Sequence, residues 1–318
     1  MKIPAFTIAI PFYSNVEYLR TVLASAAAQT FRDFELYVID DCSPDHSCES
    51  VVMGFNDKRF HYLRNLSNLG LAGNWNACLD VAKTDLVSIV HADDELSPNY
   101  IETMIRAAEV WPDAVAFFCQ SEIMNEEGKS VISFPDIFKQ LLLPARKKVF
   151  QLRGEQSLVQ LLRGNFIMCP TLCFRRPAVD GLRFKTHLRM VLDLEFTTSL
   201  ILRGDSLVGL PDKAYRYRRH KNNQSLLLTR NIVRFQEETS LYAELERKTA
   251  SIGWRNASKV SGRMGIIKLQ LIYYAIKDLI NFRLSASWGK ICFLGSICVP
   301  PPHFAAVKRL FQIRRNIR

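Results

Sequence analysis

The sequence predicts an α/β fold: a mostly parallel central sheet flanked by helices, with a helical C-terminal extension. Three observations carry this. Over the first 120 residues, short apolar β-like runs alternate with stretches of helical periodicity, the pattern of a parallel sheet covered on both faces. From 231 to 283 the periodicity is that of long amphipathic helices. Finally, "IPFYSN", "IDDCSPD" and "HADDEL" each follow directly on a predicted strand. They therefore gather at one edge of the sheet, beyond the strands' carboxyl ends, where folds of this kind bind ligands.

Taken in order, "FTIAI" (6–10) reads as the first strand and 17–28 as a helix with Tyr18, Val22 and Leu23 on one face. "FELYVID" (34–40) is the second strand and "RFHYLRN" (59–65) a weaker third. A helix over 71–82, a buried strand "LVSIV" (86–90) and a helix over 98–111 follow; Ser97-Pro98 reads as N-cap and first helical residue. "AVAFFC" (114–119) is another strand. The alternation then breaks: "NEEGKS" reads as a hairpin turn, and 134–150 is apolar and irregular. A helix over 154–165 with a Gly-Asn stop, a strand "TLCFRR" (171–176), a helix over 191–203 and a strand over 212–220 complete the series. The expected organisation is one domain over 1–225, with a nucleotide-binding half (1–120) and an acceptor half (121–225), then a helical, basic region over 226–318.

Composition narrows the class. A 318-residue chain with 48% hydrophobic residues buries a sizeable core, and no uninterrupted apolar run is long enough to span a bilayer. The N-terminus reads as a strand rather than a signal peptide. Eight scattered cysteines lack paired zinc-type spacing and read as reduced thiols of a cytoplasmic protein. The net charge of +11 is uneven, with no acid after Asp278. Such a tail is attracted to anionic surfaces, nucleic acid or the inner leaflet of a membrane. No nucleic-acid recognition module accompanies it. There is no G-x-G-x-x-G after the first strand and no G-x-x-x-x-G-K-[ST], which disfavours dinucleotide and P-loop chemistry.

Among candidate residues, Asp40 and Asp41 end the second strand, where a carboxylate can serve a turn or accept from a nucleotide. Gly70 and Gly73 bracket a helix start, whose free N–H groups favour an anion such as diphosphate. Asp93 and Asp94 follow a buried strand with no basic residue close by in sequence. A hard divalent cation holding a diphosphate would use that charge; capping of the next helix is the rival reading.

Together these segments resemble the family 2 glycosyltransferases, which carry a GT-A fold. The likeness rests on "IAIPFYSNVEYLRTVLASAAAQTFRDFELYVIDDCSPD" and "NLGLAGNWNACLDVAKTDLVSIVHADDELSPNYI", covering roughly residues 5–112, and more loosely 160–225. The resemblance implies that Tyr13 packs beside the nucleotide base with Pro11 shaping that wall, and that Asp41 hydrogen-bonds the base. Asn68, Gly70 and Asn74 join the donor-binding set. Asp93 and Asp94 stand at the family's D-x-D position, Asp93 on the donor and both on Mg²⁺ or Mn²⁺, while His91 replaces the motif's first acid. Asp193, with Glu195 as alternate, matches the catalytic carboxylate, and "YRYRRHKNNQS" resembles an R-x-H element that brings Arg219 to the diphosphate and His220 to the metal. Asn165 falls in the acceptor-side segment.

The implied function is inverting transfer of a sugar from a nucleotide-diphosphate donor, a UDP-sugar, to a hydroxyl of a saccharide or lipid-linked saccharide. The implied setting is bacterial surface-polysaccharide assembly, in the cytoplasm or peripherally on the inner membrane face through the basic C-terminal region. A nucleotidyltransferase-like or non-catalytic nucleotide-binding protein is the alternative.

Overall fold

The computed structural model describes residues 5–132, 141–221, 223–230 and 232–298. Its strands are β1 (Phe6–Phe12), β2 (Phe34–Asp40), β3 (Phe60–Arg64), β4 (Leu86–Ile89), β5 (Glu95–Leu96), β6 (Ala114–Met124), β7 (Phe150–Leu152), β8 (Cys173–Arg175) and β9 (Ser206–Arg218). They form one sheet in the order β3-β2-β1-β4-β8-β6-β9-β5, with β7 paired to β9. The four strands from β3 to β4 are mutually parallel. Beyond β4 the sheet is mixed: β8 is antiparallel to β4 and β6, whereas β6 and β9 are parallel. β1, β2, β4, β6 and β9 therefore all end on one edge, and the predicted convergence of polar loops follows from that direction.

The helices are α1 (Val16–Ala27), α2 (Ser47–Met53), α3 (Gly70–Val81), α4 (Tyr100–Val110), α5 (Gly154–Leu162), α6 (Leu192–Arg203), α7 (Gln224–Arg230), α8 (Val233–Ser251), α9 (Arg255–Arg263), α10 (Gly265–Ile280) and α11 (Leu284–Cys298). Two apolar cores flank the sheet. One joins α1, α2 and α4 to the faces of β1 and β2 through residues such as Leu19, Leu23, Ile101 and Met104. The other joins α3, α5 and α6 to Phe235, Leu241, Leu245, Ile267 and Leu271 of α8 and α10. The C-terminal helices thus complete a core that the sheet begins.

Several expected boundaries move, each for a physical reason. Ser97 does not cap α4, which starts at Tyr100 after Asn99. Instead the Ser97 hydroxyl donates to the Lys213 carbonyl and its own carbonyl accepts from Tyr100, because β5 beside it pairs with β9. β6 runs to Met124 and β9 begins at Ser206, since the two strands satisfy each other's polar positions through a shifted register. The "NEEGKS" turn is present: Asn125 Oδ1 accepts from the N–H groups of Glu127 and Lys129. Residues 134–140 of the irregular stretch lie outside the described residues, as do residues 299–318.

Candidate active site

The residues of "HADDEL" leave β4 and turn back as β5, and β9 closes over them. Asp94 is fully buried. Its Oδ1 accepts from the backbone N–H of Arg218 at 2.7 Å and its Oδ2 from the Tyr215 hydroxyl at 2.9 Å. The same hydroxyl accepts from the His91 N–H at 3.3 Å. Asp93 is partly exposed, and its Oδ2 meets His220 Nε2 at 2.8 Å and Asn223 Nδ2 at 3.4 Å. Arg218 knits the turn together: Nε donates to the Asp93 carbonyl at 2.8 Å, and Nη2 donates to Glu95 Oε1 at 2.5 Å. Its guanidinium sits over the Tyr18 ring, 5.0 Å from the centroid, a cation–π contact.

The two carboxyls are pushed apart in acidity. Burial, then the neighbouring Asp93 charge, holds Asp94 well above the usual carboxylate range, against its hydrogen bonds from Arg218 and Tyr215. Burial also raises Asp93, but the His220 hydrogen bond and the nearby histidines outweigh it, so Asp93 lies below the usual range. Burial lowers the His91 imidazole against the pull of Asp93 and Asp193. One ligand atom from each of His91, Asp93 and Asp94 falls within 4.8 Å of the others. Two adjacent carboxylates that repel, with an imidazole beside them, form a donor set that a hard divalent cation would stabilise. The chemistry of these residues fits Mg²⁺ or Mn²⁺.

At the end of β2 the paired acids separate by role. Asp40 is buried and accepts from Ser43 N at 2.8 Å, Tyr62 Oη at 2.7 Å and Arg64 Nη1 at 2.6 Å. It anchors the turn. Asp41, also buried, accepts on Oδ1 from Asn65 Nδ2 at 2.9 Å and Leu69 N at 2.8 Å. Asn74 joins this network, accepting from Asn65 Nδ2 and donating to the Ile39 carbonyl. Asn68 closes the turn into α3 by accepting from Gly70 N at 2.9 Å. The φ of +72° at Gly70 is a left-handed conformation that favours glycine. Pro11 is half-buried near the end of β1, opposite Ile39 of β2, and Tyr13 beyond it is half exposed.

Asp193 lies in the first turn of α6. Its Oδ2 accepts from Asn165 Nδ2 at 3.2 Å, and its charge reaches both His91 and Arg234. The helix start is held from outside: Glu237 of α8 accepts from the N–H groups of Arg189, Met190 and Val191, the shortest at 2.8 Å. Glu195 points elsewhere, paired with Lys185 at 2.8 Å.

The sequence-derived set therefore divides. His91, Asp93, Asp94 and His220 form one cluster, with Asp193 within electrostatic reach of His91; Asp41, just after β2, meets the loop between β3 and α3, where Asn68, Gly70 and Asn74 gather. Arg219 is exposed, its guanidinium 5.7 Å from the Tyr217 ring. The buried arginine is Arg218, which sequence reasoning passed over together with Tyr215, Tyr18, Asn223 and Glu237. The R-x-H spelling itself places its arginine at 218. Nothing in the local sequence marks Glu237, which acts across 46 to 48 positions.

Comparison with known proteins accords with this arrangement. The profile of Glycosyl transferase family 2 matches residues 7–178, more than half of the chain. The chain belongs to that family. Its curated relatives include MT1568 of Mycobacterium tuberculosis, 30% identical over 63% of this chain. The putative glycosyltransferase EpsH of Bacillus subtilis is 30% identical over 42%, and the succinoglycan biosynthesis protein ExoO of Rhizobium meliloti 25% identical over 71%. The chain spans 63%, 38% and 64% of the lengths of these three relatives. Among solved structures, S. aureus TarS 1-349 in complex with UDP-GlcNAc aligns with a TM-score of 0.56 at 20% identity, covering 88% of this chain and 89% of that one. The mannosyltransferase PcManGT of Pyrobaculum calidifontis, in complex with GDP-Man and Mn2+, aligns at 0.60 and 15% identity, covering 98% and 81%. The shared architecture is the GT-A fold.

Proposed function

We propose that the chain is an inverting glycosyltransferase that moves a sugar from a nucleotide-diphosphate donor, a UDP-sugar, to a hydroxyl of a saccharide or lipid-linked saccharide. The observation that carries the reading is the His91–Asp93–Asp94 cluster at the strand ends, with Asp193 within electrostatic reach. Relatives named for polysaccharide work, such as ExoO, support the acceptor class, and the donors held by TarS and PcManGT support the donor class.

On this reading Tyr13 and Pro11 flank the base, Asp41 hydrogen-bonds it, and the N-terminal turn of α3 meets the diphosphate. Asp93 and Asp94, with His220 behind Asp93, would hold Mg²⁺ or Mn²⁺, which would supply positive charge to offset that of the departing diphosphate. Asp193 accepts the proton of the acceptor hydroxyl as that oxygen attacks the anomeric carbon. Asn165 orients the carboxylate, and Glu237 fixes the helix that carries it. Attack from the face opposite the leaving group inverts the anomeric centre. The basic C-terminal region brings this chemistry to a membrane surface, where a lipid-linked acceptor resides.

Release of nucleoside diphosphate from a panel of UDP- and GDP-sugars with a saccharide acceptor tests the proposal. Turnover of at least one donor with inverted product anomer is expected; nucleotide binding without turnover of any donor would favour the non-catalytic alternative.

A further inference from the structure

The hairpin of α10 and α11 is packed inside out along its outer half. On α10, Ile267 and Leu271 face the protein core; one turn further the inward residue is only Ala275, and at the next turn it is Asp278. On α11 the two most buried residues are Ser287 and Lys290. Lys290 Nζ donates to Asp278 Oδ2 at 2.7 Å, and the Ser287 hydroxyl donates to the Ala275 carbonyl at 2.9 Å. The exterior is the reverse. Leu269, Ile272, Ile276 and Ile280 recur along the exposed face of α10, Phe282 projects at the turn with 89% of its surface open, and Trp288 of α11 is 60% exposed.

Water does not select such a distribution; exposed apolar residues that recur along one helix face and its turn mark an interaction surface. The buried pair registers the two helices without using the apolar residues, which are left for a partner. Charge indicates which. From residue 247 onward Asp278 is the single acid, and it is spent on Lys290, while Lys277 and Arg283 border the exposed face. A second copy would bring the same cations with no acid to meet them. An anionic lipid surface meets both properties. The helices have 16 and 15 residues, short of the roughly 20 needed to span a bilayer, and none of the described helices is long and apolar enough to cross.

We propose that the α10–α11 hairpin is a monotopic docking element, its exterior sunk into the headgroup boundary of an anionic bilayer, with Phe282 and Trp288 at the depth where aromatic rings settle. The apolar hairpin, rather than the basic tail alone, makes the contact. It would hold the transferase edge close to lipid-borne acceptors, and so rests on the proposed function only for its purpose.

The test is co-sedimentation of the full chain with phosphatidylglycerol-containing vesicles, alongside quenching of tryptophan emission by brominated lipid. The wild type is expected to bind, with a quenched component that Trp288→Phe removes. Ile276→Glu with Ile280→Glu should weaken binding at least about tenfold, the loss of one buried aliphatic side chain, at unchanged melting temperature; Ile276→Ser with Ile280→Ser serves if the acidic pair unfolds. Vesicle binding that survives these variants, or proceeds with Trp288 unquenched, overturns the assignment. So does a dimer that the variants dissolve without any vesicle binding. No donor is present in the assay, so its failure is distinct from failure of the transferase reading.

Discussion

The backbone N–H of Arg218 donates to Asp94 Oδ1 at 2.7 Å, and the Arg218 side chain returns to the carbonyl of Asp93 at 2.8 Å. One residue at the end of β9 therefore fixes both members of the acidic pair that leaves β4. Strand pairing between β5 and β9 sets this up, because it carries Arg218 past the turn at the height of the carboxylates. Glu95 then neutralises the guanidinium from the same turn.

Replacing Arg218 with Ala strips a buried cation from Glu95 and leaves the Asp93 carbonyl without that donor. Loss of one partner of a buried pair should cost about 3 kcal/mol of stability, read from urea denaturation, and the donor KM should rise as Asp93 loosens. Arg218→Lys keeps the charge but not the fork of donors, so it should recover most stability and little of the KM. An Arg219→Ala control should leave both nearly unchanged.

Asp193→Asn keeps the shape of the α6 start and the contact with Asn165 but removes the basic carboxylate. Transfer should fall by about 10²–10⁴-fold, while calorimetric binding of UDP with Mn²⁺ stays within about twofold, a change of about 0.4 kcal/mol or less. Glu195→Gln should instead lower stability through its pair with Lys185, with kcat retained in the folded protein. A fall in UDP binding equal to the fall in rate would remove Asp193 from the role of base.

Glu237 reaches from α8 to accept the N–H groups of Arg189, Met190 and Val191, just ahead of Asp193. Glu237→Ala should destabilise the fold by about 1–2 kcal/mol, the scale of a lost cap. If it positions Asp193, kcat falls while the donor KM holds. Equal loss in both would mark a purely structural role.

Much of this was legible in the sequence. Alternation of apolar runs fixes the sheet and the edge where its polar loops gather, and the loop after each parallel strand lands where direction alone requires. What stayed hidden is what depends on residues distant in the chain. Ser97-Pro98 carries a good helix-start spelling, yet β9 takes the Ser97 hydroxyl and α4 begins at Tyr100. Glu195 and Asp193 look interchangeable in a string and diverge only because Lys185 claims one of them. Asp40 and Asp41 are likewise adjacent, but strand alternation turns Asp40 to Tyr62 and Arg64 of the neighbouring strand, and Asp41 to the loop before α3. α10 reads as amphipathic in sequence; which side faces outward emerges only from packing.

A pH effect follows from the clamp between α8 and the segment before α6. Hydrogen bonds from Lys248, then the charges of Lys185 and Lys248, hold Glu244 below the usual carboxylate range despite partial burial. Its folded value lies below its unfolded one, so its contribution is present above about pH 4.3 and is lost as pH falls through the lower folded value. The melting temperature of Glu244→Gln should therefore sit below wild type at neutral pH and converge with it in acid. Curves that stay parallel would deny Glu244 that contribution.

Whether a divalent cation at Asp93 and Asp94 serves a nucleotide-sugar donor is measured most directly by nucleoside diphosphate release from UDP- and GDP-sugars before and after chelation. Release from at least one donor should drop to background with EDTA, return with Mn²⁺, and be unrecoverable at the same Mn²⁺ concentration in Asp94→Ala. Turnover indifferent to EDTA, or undiminished in Asp94→Ala, would contradict that role.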